Sequence, residues 1–227
     1  RLNRKRITKT LLRSHPAIFR PYDVLRWNYE DVRKKSLTER REYLVYLSIK
    51  ASDACVLETF DEIAEFRADA RVYRAEGIVL KYKNGSYESG RKAGLWWKWK
   101  LDPMTADCIL IYAQAGRGRR ASLHTDYTLA AWSQSGELVP VAKAYSGLTD
   151  KELKSVDQWI RKNTINKFGP VRQVKPQLIF EIGFEGIARS SRHKSGIALR
   201  FPRILRWRQD INSKDADNLN HFETLLD

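Results

Sequence analysis

Two short stretches between Glu76 and Lys100 combine the periodicity of β-strands with a concentration of positive charge. Residues 77–82, Gly-Ile-Val-Leu-Lys-Tyr, are apolar and β-branched enough for a buried strand. Residues 96–100, Trp-Trp-Lys-Trp-Lys, alternate with the two-residue period of a second strand, so both lysines would leave on one face and the tryptophans between them on the other. Such a face resembles the lining of a nucleotide pocket. The alternative is a basic edge strand that its lysines protect from aggregation.

Charge and size indicate a basic globular protein with two domains. The 227 residues carry a formal net charge of +15, yet 42% of them are hydrophobic and seven are tryptophan. This charge predicts a polyanionic partner, and nucleic acid is the usual one. No apolar run approaches the roughly 20 residues of a membrane span, so we expect no membrane partner. Cys55 and Cys108 form no cluster with metal-ligand spacing, which disfavours structural zinc and favours a reducing, intracellular setting.

The first hundred residues predict short helices and strands. A basic helix ends at His15-Pro16, and residues 17–27 are predicted as a strand in which Pro21 favours an edge or a bulge. Ser36-Leu-Thr-Glu is a capping box that opens a helix through about Ile49. A short strand at 55–58 and an acidic amphipathic helix near 61–73 precede the two basic strands.

The rest of the chain alternates short strands with turn signals. Asp102-Pro103 interrupts the pattern, so we predict one domain at 1–102 and a second at 103–227. Strands are predicted at 108–114, 122–133, 138–144, 175–183, 186–189 and 196–207, with a helix from Thr149 to about Thr164 and a terminal helix at 213–227. Short strands interrupted by one helix are compatible with a five-stranded OB-fold barrel, although composition alone does not choose it over another small barrel. The predicted fold class is α+β.

Four segments in register resemble motifs of the covalent nucleotidyltransferases, in the form found in bacterial ATP-dependent DNA ligases. They are Tyr22-Asp-Val-Leu, the aromatic-Asp-apolar-Leu motif; Glu76-Gly-Ile-Val-Leu-Lys, motif IV; Trp97-Lys-Trp-Lys, motif V; and Arg200-Phe-Pro-Arg-Ile-Leu-Arg-Trp-Arg-Gln-Asp, motif VI. Segments 145–150 and 184–196 further resemble the bacterial members. The resemblance implies the C-terminal part of an ATP-grasp-like nucleotidyltransferase (adenylation) domain, followed by an OB-fold domain that carries motif VI and a terminal helix.

The resemblance also implies a reaction in three steps. A lysine attacks the α-phosphate of ATP, the AMP passes to a DNA 5′-phosphate, and a 3′-hydroxyl displaces AMP to seal the nick. ATP and Mg²⁺ are the implied cofactors, with Glu76 as a metal ligand because Mg²⁺ prefers carboxylate oxygen. Tyr22 would stack on adenine, while Lys81 and Lys98 would contact the α-phosphate. The implied nucleotide-binding residues are Tyr22, Glu76, Lys81, Lys92, Lys98, Lys100, Arg206, Arg208 and Asp210.

Three departures from the family pattern affect the expected chemistry. Lys92 lies where the family usually carries an arginine, which loses bidentate bonding. Ile211 follows Arg208-Gln-Asp where a lysine is usual, so self-adenylylation is the step expected to suffer, with Lys214 as a partial substitute. No Lys-x-Asp-Gly occurs in the 227 residues. We therefore expect the nucleophilic lysine upstream of Arg1, in a longer ligase, and no self-adenylylation by this chain alone.

Two basic segments are expected to hold DNA. Gly116-Arg-Gly-Arg-Arg is a loop whose glycines let the backbone approach a phosphate, and residues 189–208 contain seven Lys or Arg and no acid. The expected DNA-binding residues are Arg117, Arg119, Arg120, Arg192, Lys194 and Arg203. The expected partner is nicked double-stranded DNA, recognised through shape and backbone by a monomer in the bacterial cytoplasm, at the nucleoid.

Two other functions are compatible with the residues. An RNA ligase or mRNA-capping guanylyltransferase belongs to the same superfamily, but the Arg-Phe-Pro-Arg form of motif VI and the bacterial-type barrel segments disfavour it. A noncatalytic basic DNA-binding OB module is permitted by the missing lysine motif. A solvated, solubilising surface is the structural alternative for each basic segment.

Overall fold

Helices and strands are distributed over two units of the chain, Arg1–Leu101 and Asp102–Asp227. A computed structural model describes residues 6–73, 75–116, 118, 121–145 and 147–226. Within these residues no helix has the length and apolar character that crossing a membrane requires.

The first unit is built from short helices and two-stranded antiparallel sheets. Its elements are α1 (Lys9–Ser14), β1 (Arg26–Trp27), β2 (Glu30–Asp31), α2 (Leu37–Glu42), α3 (Phe60–Ala68), β3 (Gly77–Lys81) and β4 (Trp96–Lys100). Strands β1 and β2 pair with each other, as do β3 and β4. The Ser36 capping box predicted from the sequence is confirmed, and Thr59 with Glu62 forms a second one at the start of α3.

Three predictions for this unit are wrong, two of them in extent and one entirely. The strand predicted at 17–27 is limited to Arg26–Trp27. Pro16 and Pro21 have no N–H to donate to a neighbouring strand. The Pro21 carbonyl also accepts from the Ser52 N–H (2.8 Å) and not from a strand. Residues 55–58 form no strand. The helix expected to reach Ile49 ends at Glu42 and continues only as a 3-10 turn, Tyr43–Tyr46.

A buried ion pair ties the separate segments of the first unit together. The Arg40 guanidinium donates to both oxygens of Asp23 (2.9 and 3.0 Å), and the two side chains are only 0% and 3% exposed. The remaining guanidinium nitrogen of Arg40 donates to the carbonyls of Lys35 (2.6 Å) and Gly85 (3.1 Å). These bonds satisfy both charges in the interior and fix α2, the segment around Asp23 and the turn after β3 relative to one another.

Among the described residues, the second unit contains a seven-stranded sheet that closes on itself and a separate two-stranded sheet. Its elements are β5 (Met104–Ala115), β6 (His124–Trp132), β7 (Leu138–Tyr145), α4 (Asp150–Lys162), β8 (Thr164–Phe168), β9 (Val171–Val174), β10 (Ile179–Phe184), β11 (Gly186–Arg189), β12 (Ile197–Arg200), β13 (Arg203–Arg208) and α5 (Leu219–Thr224). Strand β10 pairs with β13 on one edge and with β5 on the other. In the described part of the chain, β5, β6, β7, β13 and β10 therefore form a closed barrel of five strands, which agrees with the OB-fold implied by the resemblance.

The barrel interior is filled by alternating apolar side chains and covered by α4. Helix α4 buries Leu153, Val156 and Ile160 against this core. Among the largest fully buried strand residues are Leu110, Tyr127, Leu129, Phe180, Ile182 and Phe184. The period of two along each strand places these residues inside, while residues between them such as Thr128 and Glu181 face outward.

Three features of this unit differ from the sequence prediction. The hairpin β8–β9 was not predicted, and it extends the sheet beyond β5. The single strand predicted at 196–207 is two strands, because Phe201 adopts a left-handed conformation (φ 52°) and Pro202 has no N–H. The predicted terminal helix begins only at Leu219, after a 3-10 turn at Ser213–Asp215.

Asp157 connects α4 to the start of β6. Its carboxylate accepts from the backbone N–H of His124 (2.9 Å) and from Arg161 (2.7 Å), and it lies 2.7 Å from the His124 ring nitrogen Nδ1. Burial raises the pKa of this carboxyl, but the hydrogen bonds from Arg161 and His124 outweigh burial and lower the pKa below its usual value.

Replacing Arg40 by Met should lower the free energy of unfolding by about 3–5 kcal/mol, because the Asp23 charge would be left buried without its partner. Urea unfolding measures the loss, and hydrogen exchange should localise it to the first unit. Arg33→Met is the matched control, since Arg33 pairs with Asp31 (2.5 Å) on the surface and both side chains are about half exposed. Equal losses in the two variants would contradict the importance of burial here.

Replacing Asp157 by Asn should cost about 2 kcal/mol of stability at pH 7, because charged hydrogen bonds are lost. The folded pKa of Asp157 is lower than the unfolded one, so its stabilisation is present above the unfolded value of about 3.9 and is lost as pH falls through the folded value. Urea unfolding of both proteins at pH 7 and pH 3 tests this. The difference should shrink at the lower pH, and a constant difference would contradict the assignment.

Candidate functional site

Three lysines share one face of the β3–β4 sheet. The strands pair with Lys81 opposite Trp96, Val79 opposite Lys98 and Gly77 opposite Lys100. Because directly opposed residues point to the same side and direction alternates along each strand, Lys81, Lys98 and Lys100 leave on one face. The predicted strands and their parity are thus confirmed. The face has the charge needed to bind phosphate groups.

The opposite face of the sheet is covered by α3. Trp99 stacks on Phe60 with the ring centroids 5.1 Å apart, and the Arg67 guanidinium lies 5.0 Å from the Trp99 ring. Arg67 also donates two hydrogen bonds to the Lys100 carbonyl (3.0 and 2.5 Å). Trp97, expected to pack beside Trp99, is 49% exposed instead. Helix α3 therefore supports the end of β4 and does not cover the lysine face.

Glu76 lies at one end of the lysine face. Its carboxylate is 2.9 Å from the Lys100 ammonium, and its carbonyl accepts from the Leu101 N–H (2.9 Å). The two strands approach so closely at this end that only glycine fits at position 77. Gly77 has φ 141°, and a Cβ there would lie 2.4 Å from the Trp99 carbonyl oxygen. The Glu-Gly sequence therefore places a carboxylate beside the lysines.

At the other end of the face, Lys81 lies between two aromatic rings. Its Nζ is 4.1 Å from the centroid of the Trp96 ring and 4.4 Å from that of Tyr22. The two rings meet edge to face at 6.4 Å. Burial lowers the pKa of Lys81, an effect that Asp23 opposes and that Arg41 and Arg40 reinforce. Tyr22 therefore lies beside Lys81 at this end of the sheet, as residues that line one pocket wall would.

Lys92 is separate from this arrangement. It is exposed in the segment that connects β3 to β4 and does not take part in the register of the two strands. Among the sequence-predicted residues of the first unit, the sheet therefore brings together Glu76, Lys98 and Lys100, with Lys81 and Tyr22 at its far end.

The predicted nucleotide-binding residues of motif VI lie in the second unit, where Arg206 and Arg208 each contact an acid. Arg206 is paired with Glu181. Arg208 donates to Asp107 (2.5 Å) and in bidentate fashion to Asp210 (2.8 Å), and its side chain is only 15% exposed. Hydrogen bonds from Arg208 lower the pKa of Asp210 to about 2, and the pKa of Arg208 is raised. Any phosphate that binds these guanidiniums competes with the carboxylates.

The predicted DNA contacts divide into three groups. Arg117, Arg119 and Arg120 lie outside the described residues. Arg192 and Lys194 are exposed in the loop between β11 and β12. Arg203 is paired with Glu185 (2.9 Å).

Sequence reasoning missed Arg40 and Trp96. Arg40 meets Asp23 across 17 residues, and a contact at that separation leaves no local pattern in the sequence. Trp96 had a signal, because it shares the parity of Lys98 and Lys100 and must therefore lie on the lysine face.

Comparison with known proteins identifies similarity along most of the chain. Residues 1–100 match the family model of the ATP dependent DNA ligase domain, and residues 120–211 match that of the ATP dependent DNA ligase C terminal region. A probable DNA ligase of Koribacter versatilis is 32% identical over 99% of this chain and 44% of its own length. A DNA ligase of the archaeon Methanococcoides burtonii is 31% identical over 99% of this chain and 41% of its own length. The chain thus spans less than half the length of these relatives.

A solved structure supports the fold class. A structure reported in a structure-function study of Lig E DNA ligases aligns with a TM-score of 0.55 at 19% identity, and the alignment covers 77% of this chain and 59% of that one. The predicted α+β class, a nucleotidyltransferase part followed by an OB-fold, is confirmed. Because relatives come from bacteria and archaea, the similarity supports the family and not a bacterial subgroup.

Replacing Gly77 by Ala should destabilise the first unit by more than about 2 kcal/mol, since the new methyl group would meet the backbone of β4 in a strained conformation. Gly90→Ala is the matched control. Gly90 also has a positive φ (77°), but nothing lies within 4 Å of its would-be Cβ, so only the backbone penalty of about 1 kcal/mol applies. Urea unfolding compares the two, and similar losses would mean that β3 and β4 are less closely paired here.

Proposed function

This chain belongs to the ATP-dependent DNA ligase family, and we propose that it is part of an enzyme that seals nicks in duplex DNA at the expense of ATP. The observation that carries the proposal is the lysine face of β3–β4, with Glu76 at one end and Tyr22 at the other. The first unit acts as part of the adenylation domain, and the second as the OB-fold domain. The bacterial form of the enzyme is part of the proposal, supported by the segments 145–150 and 184–196.

The lysine face binds the phosphates of ATP. Phosphoryl transfer spreads negative charge over the transferred group, so catalysis requires positioning and charge neutralisation more than covalent chemistry from the protein. Lys81 and Lys98 contact the α-phosphate, and Lys100 supports them. Tyr22 stacks on adenine, next to the lysine it already contacts. In the second unit, Arg206, Arg208 and Asp210 bind the nucleotide, and Arg208 exchanges a carboxylate for phosphate when they do.

Glu76 fits a role as one ligand of Mg²⁺. The described residues contain no cluster of three or more His, Cys, Asp or Glu side chains that could hold a metal by themselves. Mg²⁺ does not need one, because it is usually held by one or two carboxylates together with water and substrate phosphate. The Glu76 side chain is 30% exposed at the end of the lysine face. When bound, Mg²⁺ neutralises phosphate charge.

The partner we propose is nicked double-stranded DNA, bound by a monomer in the cytoplasm at the nucleoid. Arg192, Lys194 and Arg203 contact its backbone, as do the arginines of the 117–120 loop. The charge of +15 supports this role, because contacts to phosphate supply affinity without sequence preference. Such binding weakens steeply as salt is raised.

Substituting Glu76 or Lys98 by Ala should slow AMP transfer about 100-fold or more, because Lys98 neutralises phosphate charge in the transition state and Glu76 would hold the Mg²⁺ that does so. The stability of the chain should change by less than about 1 kcal/mol, since both side chains are partly or largely exposed. The measurement is covalent AMP formed from labelled ATP, with the chain supplemented by a segment that carries Lys-x-Asp-Gly. Lys83→Ala, an exposed lysine after β3, is the matched control and should retain the wild-type rate.

The same assay separates the proposed enzyme from a noncatalytic DNA-binding module. A folded, supplemented wild-type chain that binds DNA but directs no AMP transfer would favour the binding module. Wild-type rates in both Ala variants would remove the basis for the site. Label on the unsupplemented chain would show that a lysine among these 227 residues is the nucleophile.

A further inference from the structure

Lys81 and Lys100 occupy the same face but are held by different chemistry. Lys100 lies 2.9 Å from the Glu76 carboxylate, which offsets its charge. Lys81 forms no ion pair within the described residues, and its ammonium lies over the rings of Trp96 and Tyr22, at 4.1 and 4.4 Å. An aromatic face attracts a cation through its quadrupole without carrying a net charge. The rings therefore restrict the lysine and leave its full positive charge available to an anion.

We propose that Trp96 is a positioning residue for the proposed AMP transfer, holding the Lys81 ammonium in place for a phosphate of the nucleotide. This inference rests on the proposed function. Trp96 lies directly opposite Lys81 in the register of β3 and β4, so the strand pairing itself brings the ring beneath the lysine. A flexible lysine that is already restricted loses less conformational entropy when phosphate binds.

The orientation of Trp96 is fixed from the interior of the unit. Its ring meets that of Tyr87 edge to face, with centroids 5.6 Å apart. The Arg40 guanidinium lies 5.8 Å from the Tyr87 ring and is itself held by Asp23. Contacts thus run from a buried ion pair through two aromatic rings to Lys81. Tyr22 contributes the second ring but is 50% exposed and is proposed to turn to adenine, so Trp96 is the constant partner.

The charged groups around Lys81 favour binding of an anion. Arg40 and Arg41 repel its ammonium, Asp23 attracts it, and burial disfavours its charge, so the pKa of Lys81 is lowered overall. The Asp23 carboxylate is already occupied by Arg40 at 2.9 and 3.0 Å. A phosphate beside Lys81 would therefore meet a positive environment that the protein has not neutralised.

The first test uses the chain without nucleotide. In protein labelled with ¹³C-lysine, the side-chain ε signal of Lys81, identified by its loss in Lys81→Arg, should be shifted upfield by the two rings. Trp96→Leu should remove most of this shift, and Trp96→Phe should retain part of it. The pKa of Lys81, read from a pH titration of the same signal, should fall further in Trp96→Leu, because a ring that favours the charged form is lost. Trp97→Leu, on the opposite face, should change neither value.

The second test measures AMP transfer in the supplemented chain. Trp96→Leu should slow transfer about tenfold, as loss of a desolvated cation–π contact predicts, and Trp96→Phe should recover most of the rate. Trp97→Leu should keep the wild-type rate. An unchanged Lys81 signal in Trp96→Leu would overturn the inference. A Trp96→Leu variant that loses the upfield shift of Lys81 but transfers AMP at the wild-type rate would overturn it as well. If the wild type transfers no AMP although Lys81 shows the upfield shift, the proposed function fails, whereas the arrangement around Lys81 stands.

Discussion

The buried pair of Asp23 and Arg40 is the interaction on which the first unit depends. That unit has little regular structure to hold it together, since its sheets have two strands each and its helices are short. One guanidinium instead connects the segment around Asp23, the start of α2 and the turn after β3. A charge buried at this depth is tolerated only when all its hydrogen bonds are made. The pair therefore specifies one arrangement of these segments, and the candidate site is part of that arrangement.

The site shows how one sheet face can give similar lysines different properties. Lys100 is offset by Glu76, Lys98 is exposed, and Lys81 lies between two rings. Strand parity places all three on the same side, but the groups beside each lysine decide how much of its charge an anion would meet. The acid is therefore concentrated at one end of the face and the less compensated charge at the other.

In the second unit, the arginines of β13 are paired with carboxylates. Its barrel places arginines on outward-facing positions, and Arg203, Arg206 and Arg208 each contact a carboxylate of the same unit. The chain as a whole is strongly basic, yet these guanidiniums are locally compensated. These ion pairs orient the guanidiniums before any ligand binds. A phosphate that binds a guanidinium must therefore compete with its carboxylate. Arg192 and Lys194 are exposed, and neither is paired with a carboxylate of the residues that the structure describes.

By itself, the sequence determined the elements whose pattern is local. The β3 and β4 strands, the capping box at Ser36, α4 and most barrel strands follow from periodicity, capping and turn residues within a few positions. Tertiary structure alone decided that residues 17–27 are mostly not a strand, that β8–β9 extends the barrel sheet, and that Arg40 reaches Asp23. It also placed an acid beside Lys100 and two aromatic rings beside Lys81. The physical reason is that a hydrogen-bond ladder or a buried charge needs a partner from elsewhere in the chain, and the identity of that partner is not written in the neighbouring residues.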